Sequence, residues 1–250
     1  MTLAITLPNS DGAWLSSFSK GFLSLAKQYS MQLIGGDTTR GGLAISVTVM
    51  GLLPKGQSLK RSGAKVGDDI YVSGTIGNAG LGLIKAQKGI DDMSDDDLAQ
   101  YLQPMPKINL GEQILSRATA CIDISDGLSA DLNHILTASG VGAVIEHNKL
   151  PMTETVKGYI AKHRRQLWPY SSGDDYQLCF TLPREKRSDE DMLRWQQSGV
   201  ISRIGVIDVA EGLRIAMPDG SAVTHNQGYQ HFNEAVSNSM SVELTDNNGE

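Results

Sequence analysis

The stretch Ala120-Cys121-Ile122-Asp123-Ile124-Ser125-Asp126-Gly127-Leu128 reads as an apolar strand that enters an acidic turn and leaves it as a helix running through Leu136. If residues 120–124 are extended, Asp123 stands near the strand's end and Asp126 near the start of the helix. Two carboxylates and a hydroxyl at one strand-to-helix junction suit a divalent cation that bridges phosphates. They equally suit a plain helix cap, with Ser125 or Asp126 accepting from the first free N–H groups, an effect worth roughly 1 kcal/mol. On the residues alone both readings stand.

Strands and helices alternate on either side of this junction. Upstream, Thr2 to Leu7 is an apolar strand that begins abruptly at Met1, and Asp11 opens a helix reaching about Tyr29. Trp14, Leu15, Phe18, Phe22, Leu23 and Leu25 recur there at helical spacing. Gly35 to Arg40 reads as a polar loop, Leu43 to Val49 and Asp69 to Val72 as strands, and Gly74 to about Gln87 as a Gly-rich entry into a helix. Ile90 to Leu98, with its five aspartates, reads as a solvated loop and helix start, and Ile108 to Thr119 as a helix. Downstream come strands at Val141 to Glu146, Tyr176 to Leu182, Ile201 to Ile207 and Leu213 to Met217. Helices at Thr153 to His163 and Glu190 to Gln197 lie among them, and Pro218-Asp219-Gly220 is a turn. From Ala235 the Ser- and Asn-rich tail is expected to fray. The alternation argues for an α/β fold. The interior has no Pro- or Ser-rich linker, which predicts one compact body.

Composition sets the outer limits. At 250 residues and 40% hydrophobic, the chain can bury a sizeable core. No run of eighteen apolar residues offers a membrane span, and no basic and apolar leader opens the chain. A net charge of -6 argues against general nucleic-acid binding. Cys121 and Cys179 cannot make a disulfide framework and read as free thiols of a cytoplasmic protein, Cys121 as core. Asp outnumbers Glu by 19 to 9, and Asp favours turns, caps and hard-cation sites.

Two further loops set acids among small residues. Gly35-Gly36-Asp37-Thr38-Thr39-Arg40 offers glycines to a phosphate and Asp37 to Mg2+, or is an ordinary turn with an Asx-type bond. Ser171-Ser172-Gly173-Asp174-Asp175-Tyr176 can point side chains into a cleft, or is a polar loop. Gly74 to Gly82 lacks the G-x-G-x-x-G spacing of a dinucleotide turn, so close backbone packing is the better reading. A Walker-type phosphate loop and zinc-spaced His/Cys sets are absent from the sequence.

Taken in order, LAITLP, the AWL-SF helix, MQLIGGDTTRG, LKRSGAKVGDDIYVSGTIG, IDISDGLSADL, SSGDDYQLCF and GYQHF resemble thiamine-monophosphate kinases. These form a family within the superfamily of aminoimidazole ribonucleotide synthetase and selenophosphate synthetase. The resemblance implies an α/β (α+β) fold with an amino-terminal ATP-binding domain, of which residues 1–55 are the remainder. It further implies a carboxy-terminal synthetase-like domain over 56–234 and a disordered tail over 235–250. The implied reaction is ATP-dependent, Mg2+-assisted transfer of a phosphoryl group to thiamine monophosphate, giving thiamine diphosphate. The implied partners are these two small molecules and a second copy of the chain, without nucleic acid or membrane.

Carried over by position, Gly36, Asp37, Arg61 and Ser125 match ATP-binding residues, and Asp37, Asp123 and Asp126 match metal ligands. Asp174 and Tyr229 match substrate-binding residues, and no side chain is assigned a catalytic role. Asp174 stands where the family has Glu, and Gln177 replaces a second Glu of that motif, which is expected to shift substrate contacts. The family's upstream segment, with further Mg2+ carboxylates and much of the ATP site, has no counterpart in this sequence, which is expected to expose strand edges and apolar surface. The alternative function is a catalytically incomplete fragment that binds ligand or partner without turnover. A selenide acceptor would want a reactive Cys near the start, which this sequence lacks. A nicotinamide-dependent oxidoreductase has only Gly74 to Gly82 in its favour.

Overall fold

A computed structural model of the chain describes residues 1–88, 95–226 and 228. They divide into two compact units, Met1–Gly56 and Gln57–Glu250, each with its own sheet, where the lack of a linker had predicted one body. Compactness here follows strand pairing, which linker composition does not report. The expected tail over 235–250 and Tyr229 lie outside the described residues.

Unit 1 is built from β1 (Thr2–Leu7), α1 (Gly12–Gln28), β2 (Gly35–Arg40) and β3 (Ala44–Thr48). Asp11 caps α1, its Oδ1 accepting from Ala13 N at 2.9 Å and Trp14 N at 3.2 Å. Trp14, Phe18 and Phe22, spaced four apart, stack along α1 with ring centroids 5.2 and 5.8 Å apart. The sheet order is β2-β1-β3, with β2 parallel and β3 antiparallel to β1. The segment Gly35–Arg40, read as a loop, is therefore a strand. Its side chains are polar and exposed, but the ladder is made by backbone groups, and Gly36 permits the close approach. A Cβ at Gly36 would fall 1.9 Å from the Leu3 carbonyl oxygen.

Unit 2 holds β4 (Asp69–Ser73), α2 (Asn78–Lys88), α3 (Asp95–Leu102), α4 (Ile108–Ile114), β5 (Ala120–Asp123), α5 (Leu128–Ser139) and β6 (Gly142–Glu146). It continues with α6 (Glu154–His163), α7 (Trp168–Ser171), β7 (Leu178–Leu182), α8 (Glu190–Gln197), β8 (Ile201–Asp208), β9 (Gly212–Ala216) and β10 (Ala222–Thr224). The seven strands lie in the order β10-β9-β6-β8-β4-β7-β5. Only β6 and β9 pair in parallel.

Strand β4 is buried on both faces, so its alternation divides two cores. Ile70 and Val72 join Ile122, Ile124, Leu128 and Leu132 beneath α5. Tyr71 faces the other way and packs with Phe180, Leu182, Met192 and Trp195. The edge strand β5 is flanked by the segment before β4, where the Lys60 carbonyl accepts from Cys121 N at 2.8 Å.

Three expected elements differ. The helix from Ile108 ends at Ile114, short of Thr119, whose hydroxyl instead bonds Asp68 at 2.6 Å. The strand expected from Tyr176 begins at Leu178, because Tyr176 has a φ of 46° and cannot lie in a pleated strand. Within the aspartate-rich stretch, residues 90–94 lie outside the described residues, but Asp97 is buried, accepting from Asn78 Nδ2 at 2.7 Å. It braces α2 against α3 and is not solvated.

Candidate functional site

Three segments of unit 2 converge at the carboxyl end of β5. Asp123, the strand's last residue, is exposed, and Ser125 and Asp126 follow at half-buried positions. The turn is shaped from beneath by Asp131 in the first turn of α5. Its Oδ2 accepts from Ser125 N at 2.8 Å and Asp126 N at 3.0 Å. Neither Ser125 nor Asp126 caps α5 through its side chain; the N-cap position is Gly127. That glycine is required, since at its φ of 115° a Cβ would lie 2.9 Å from the Ser171 backbone and 3.0 Å from the Tyr170 oxygen.

The loop before β7 is laced onto this turn. Asp174 N donates to Ser125 O at 2.9 Å, Tyr176 N to Ile124 O at 2.8 Å, and Ile124 N to Gln177 O at 2.8 Å. Asp174 adopts a φ of 67°, a left-handed conformation that Asp tolerates better than most residues. Asp123, Ser125, Asp126 and Asp174 are thus brought together. Burial pushes the Tyr176 hydroxyl pKa up, and the charges of Asp174, Asp123 and Asp126 around it add to the shift. Burial likewise raises Asp131, its two N–H donors oppose this, and Asp126 and Asp123 push the same way as burial.

The third segment is marked by Gly228, where a Cβ would lie 2.3 Å from Ala130 Cβ and 3.1 Å from the Asp126 oxygen. Its neighbour Tyr229 is outside the described residues. Arg61 is exposed on the segment that flanks β5 and makes no hydrogen bond or ion pair among the described residues. Gly36 and Asp37 lie on β2 of unit 1, Asp37 exposed with its Oδ1 accepting from Thr38 N at 2.8 Å.

The reading of the sequence missed Asp131, and it named Asp175 within the third acidic loop without giving it a role of its own. Asp175 is buried and clamps the Gly-rich turn, accepting from Gly77 N at 2.7 Å and Ala79 N at 3.2 Å. Burial raises its pKa to about 7. With that carboxyl at the start of α2, the Gly77 and Ala79 N–H groups that a dinucleotide phosphate would need are already taken. Gly80 and Gly82 serve close packing, a Cβ at Gly80 lying 2.8 Å from Ser172 Cβ. Gln177, expected to alter substrate contacts, is buried and accepts from Ser73 Oγ at 2.7 Å. Both cysteines are free and buried, and burial raises both thiol pKa values, that of Cys121 to about 12, which disfavours the nucleophilic thiolate.

The donor set fits a hard cation. The Asp123 and Asp126 side chains have no hydrogen bond or ion pair among the described residues. Hard oxygens with open positions suit Mg2+, which keeps several waters and takes one or two carboxylates plus phosphate oxygens. No group of three metal-ligating side chains is assembled among the described residues. No helix among them is long and apolar enough to cross a membrane.

Comparison with known proteins gives concordant matches. Residues 1–53 match the model for the AIR synthase related protein, N-terminal domain, and residues 65–217 that for its C-terminal domain. A thiamine-monophosphate kinase of Salmonella typhimurium is 41% identical over 238 residues, 93% of this chain and 73% of the relative. That of Haemophilus influenzae is 38% identical over 245 residues, 94% and 74% respectively. Among solved structures, the thiamine-monophosphate kinase of Stenotrophomonas maltophilia K279a superposes with a TM-score of 0.79 at 37% identity. It is matched over 89% of this chain and 72% of its own. AaThiL complexed with AMPPCP and TMP superposes with a TM-score of 0.74 at 28% identity, over 92% of this chain and 72% of that one.

Proposed function

The chain belongs to the thiamine-monophosphate kinase family, and we propose that it transfers the γ-phosphoryl group of ATP to thiamine monophosphate, forming thiamine diphosphate and ADP. The observation that carries this reading is the lacing of the Asp174 loop onto the Asp123–Asp126 turn, which sets a candidate acceptor-binding group beside candidate metal ligands.

The chemistry asks little of any single side chain. A terminal phosphate oxygen of thiamine monophosphate forms the new bond to the γ-phosphorus, and the bond from that phosphorus to the bridging oxygen breaks, leaving ADP. The acceptor is already an anion, so no general base is needed. The demand is positioning of two polyanions and compensation of their charge. Mg2+, held by Asp123 and Asp126, would supply that compensation when bound. Ser125 is proposed to touch the nucleotide, Arg61 its phosphates, and Asp174 and Tyr229 the thiamine phosphate. Asp174, as a carboxylate, suits the thiamine moiety or a shared cation better than a bare phosphate oxygen. Gly36 and Asp37 are proposed for ATP and Mg2+, and Asp37→Asn tests that assignment separately.

Steady-state kinetics test the reading. Asp123→Asn and Asp126→Asn are expected to lower kcat about 100-fold or more, since each removes charge compensation on the order of 3 kcal/mol from the transition state. Asp174→Asn is expected to raise KM for thiamine monophosphate with a smaller effect on KM for ATP. Binding of both ligands without product in the unmodified chain would favour the non-catalytic reading.

A further inference from the structure

A second charged recess lies on the Tyr71 face of the unit 2 sheet. It is a cavity of about 400 Å³ lined by Asp69, Glu146, Lys149, Arg184, Arg187 and Arg203, with four cations against two carboxylates in a chain of net charge -6. We propose that this recess is an anion site that binds a phosphate or diphosphate group.

Its construction separates it from a surface scatter of arginines. Asp69 is buried and acts as the anchor. It accepts from Arg187 Nε at 2.8 Å, Arg187 Nη2 at 2.6 Å and Arg203 Nε at 2.6 Å. Arg203 Nη1 reaches Glu146 at 2.8 Å, and Lys149 pairs with the same carboxylate at 2.6 Å. Both carboxylates are therefore already engaged by cations. Each guanidinium carries five N–H donors in a fixed fork, more than the bonds of Arg187 and Arg203 to Asp69, Glu146 and Tyr71 use up. Arg184, exposed on the rim, has no ion pair among the described residues. Two guanidiniums held on one carboxylate repel each other, and an anion between their outer edges relieves that repulsion.

Size and lining limit the ligand. The volume falls in the usual range for small-molecule sites, but Val206 is the one large apolar side chain in the lining, so recognition runs through charge. A compact polyanion fits that chemistry, either free inorganic phosphate or diphosphate, or the phosphate tail of a nucleotide. The recess is also distinct from the acidic turns. Asp69 pairs with Leu182 at the end of β7, whereas Asp123 pairs with Leu178 at its start, a separation of about 13 Å along the strand.

Isothermal titration of the full chain in EDTA tests the site, because without divalent cations the acidic turns repel anions. Inorganic phosphate, inorganic diphosphate and ADP are titrated in turn. Saturable binding of diphosphate is expected, weakening at least tenfold in Lys149→Gln/Arg184→Gln, whose positions are exposed and leave the Asp69 anchor intact. Arg203→Gln should abolish binding, with circular dichroism as the check that the fold persists. Tighter binding of ADP than of diphosphate would identify a nucleotide tail as the source, and the reverse order a free anion. Absence of saturable binding by all three ligands, or equal binding by Lys149→Gln/Arg184→Gln, would overturn the proposal.

Discussion

Asp131 and Asp175 each use one carboxyl to hold two backbone N–H groups, and each fixes a loop that the proposed chemistry needs. Replacing Asp131 by Ala strips the acceptor from Ser125 N and Asp126 N, at about 1–3 kcal/mol for each group left unsatisfied. Asp131→Ala is therefore expected to lower the urea midpoint and to weaken turnover, while Asp131→Asn, which keeps one acceptor, should lie between it and the unmodified chain. Asp175 gives a pH signature. In the unfolded chain its carboxyl ionises near 3.8, and in the fold burial holds the proton to about 7. Across that window the folded state binds the proton more tightly, so the contribution of this group to stability falls as pH rises, by about 1 kcal/mol per pH unit. Urea unfolding at pH 4.5 and pH 7 should show a larger loss in the unmodified chain than in Asp175→Asn. Equal losses in the two proteins would contradict the assignment.

At the scale of elements, two loops are held at one strand end by three backbone hydrogen bonds and by glycines that admit no side chain. Gly127→Ala would push a methyl group into the Ser171 backbone at a positive φ, and a cost of about 1–3 kcal/mol is expected in equilibrium unfolding, together with loss of activity. The reading of the sequence located β1, α1, β4, α5, α6 and α8 to within a few residues, because their apolar spacing and caps are local signals. It also singled out the Asp123–Asp126 and Asp174 loops. Strand β2 escaped it, since GGDTTR has no apolar alternation and is made a strand by its partner β1. The start of β7 was misplaced because only the backbone conformation of Asp174 and Tyr176 shows where pleating begins. Asp131 had no local mark, and Asp175 was marked only as one acid of the 171–176 loop: a buried acid that braces a distant backbone looks, in sequence, like any surface acid. The recess around Asp69 was equally hidden, since the two arginines bonded to that anchor come from segments more than a hundred residues downstream of it.

Across the whole molecule, the two units carry different kinds of surface. Unit 2 buries the large cores, whereas unit 1 leaves Leu43, Ile45, Val47 and Val49 on or beside β3 exposed, with Leu23 and Leu25 exposed on α1. Apolar strand surface of this kind favours association. Sedimentation velocity is expected to show a weight-average coefficient that rises with protein concentration, and Val47→Lys should suppress the rise. A coefficient independent of concentration would remove that expectation without touching the chemistry of unit 2.

Phosphoryl transfer to an existing phosphate is open to a direct label-transfer experiment. The chain is incubated with Mg2+, thiamine monophosphate and ATP labelled with 32P in the γ position, and the products are separated. Label is expected in thiamine diphosphate and is lost in Asp123→Asn and Asp126→Asn. Label confined to ATP and inorganic phosphate, or transfer unchanged in both variants, would contradict that expectation.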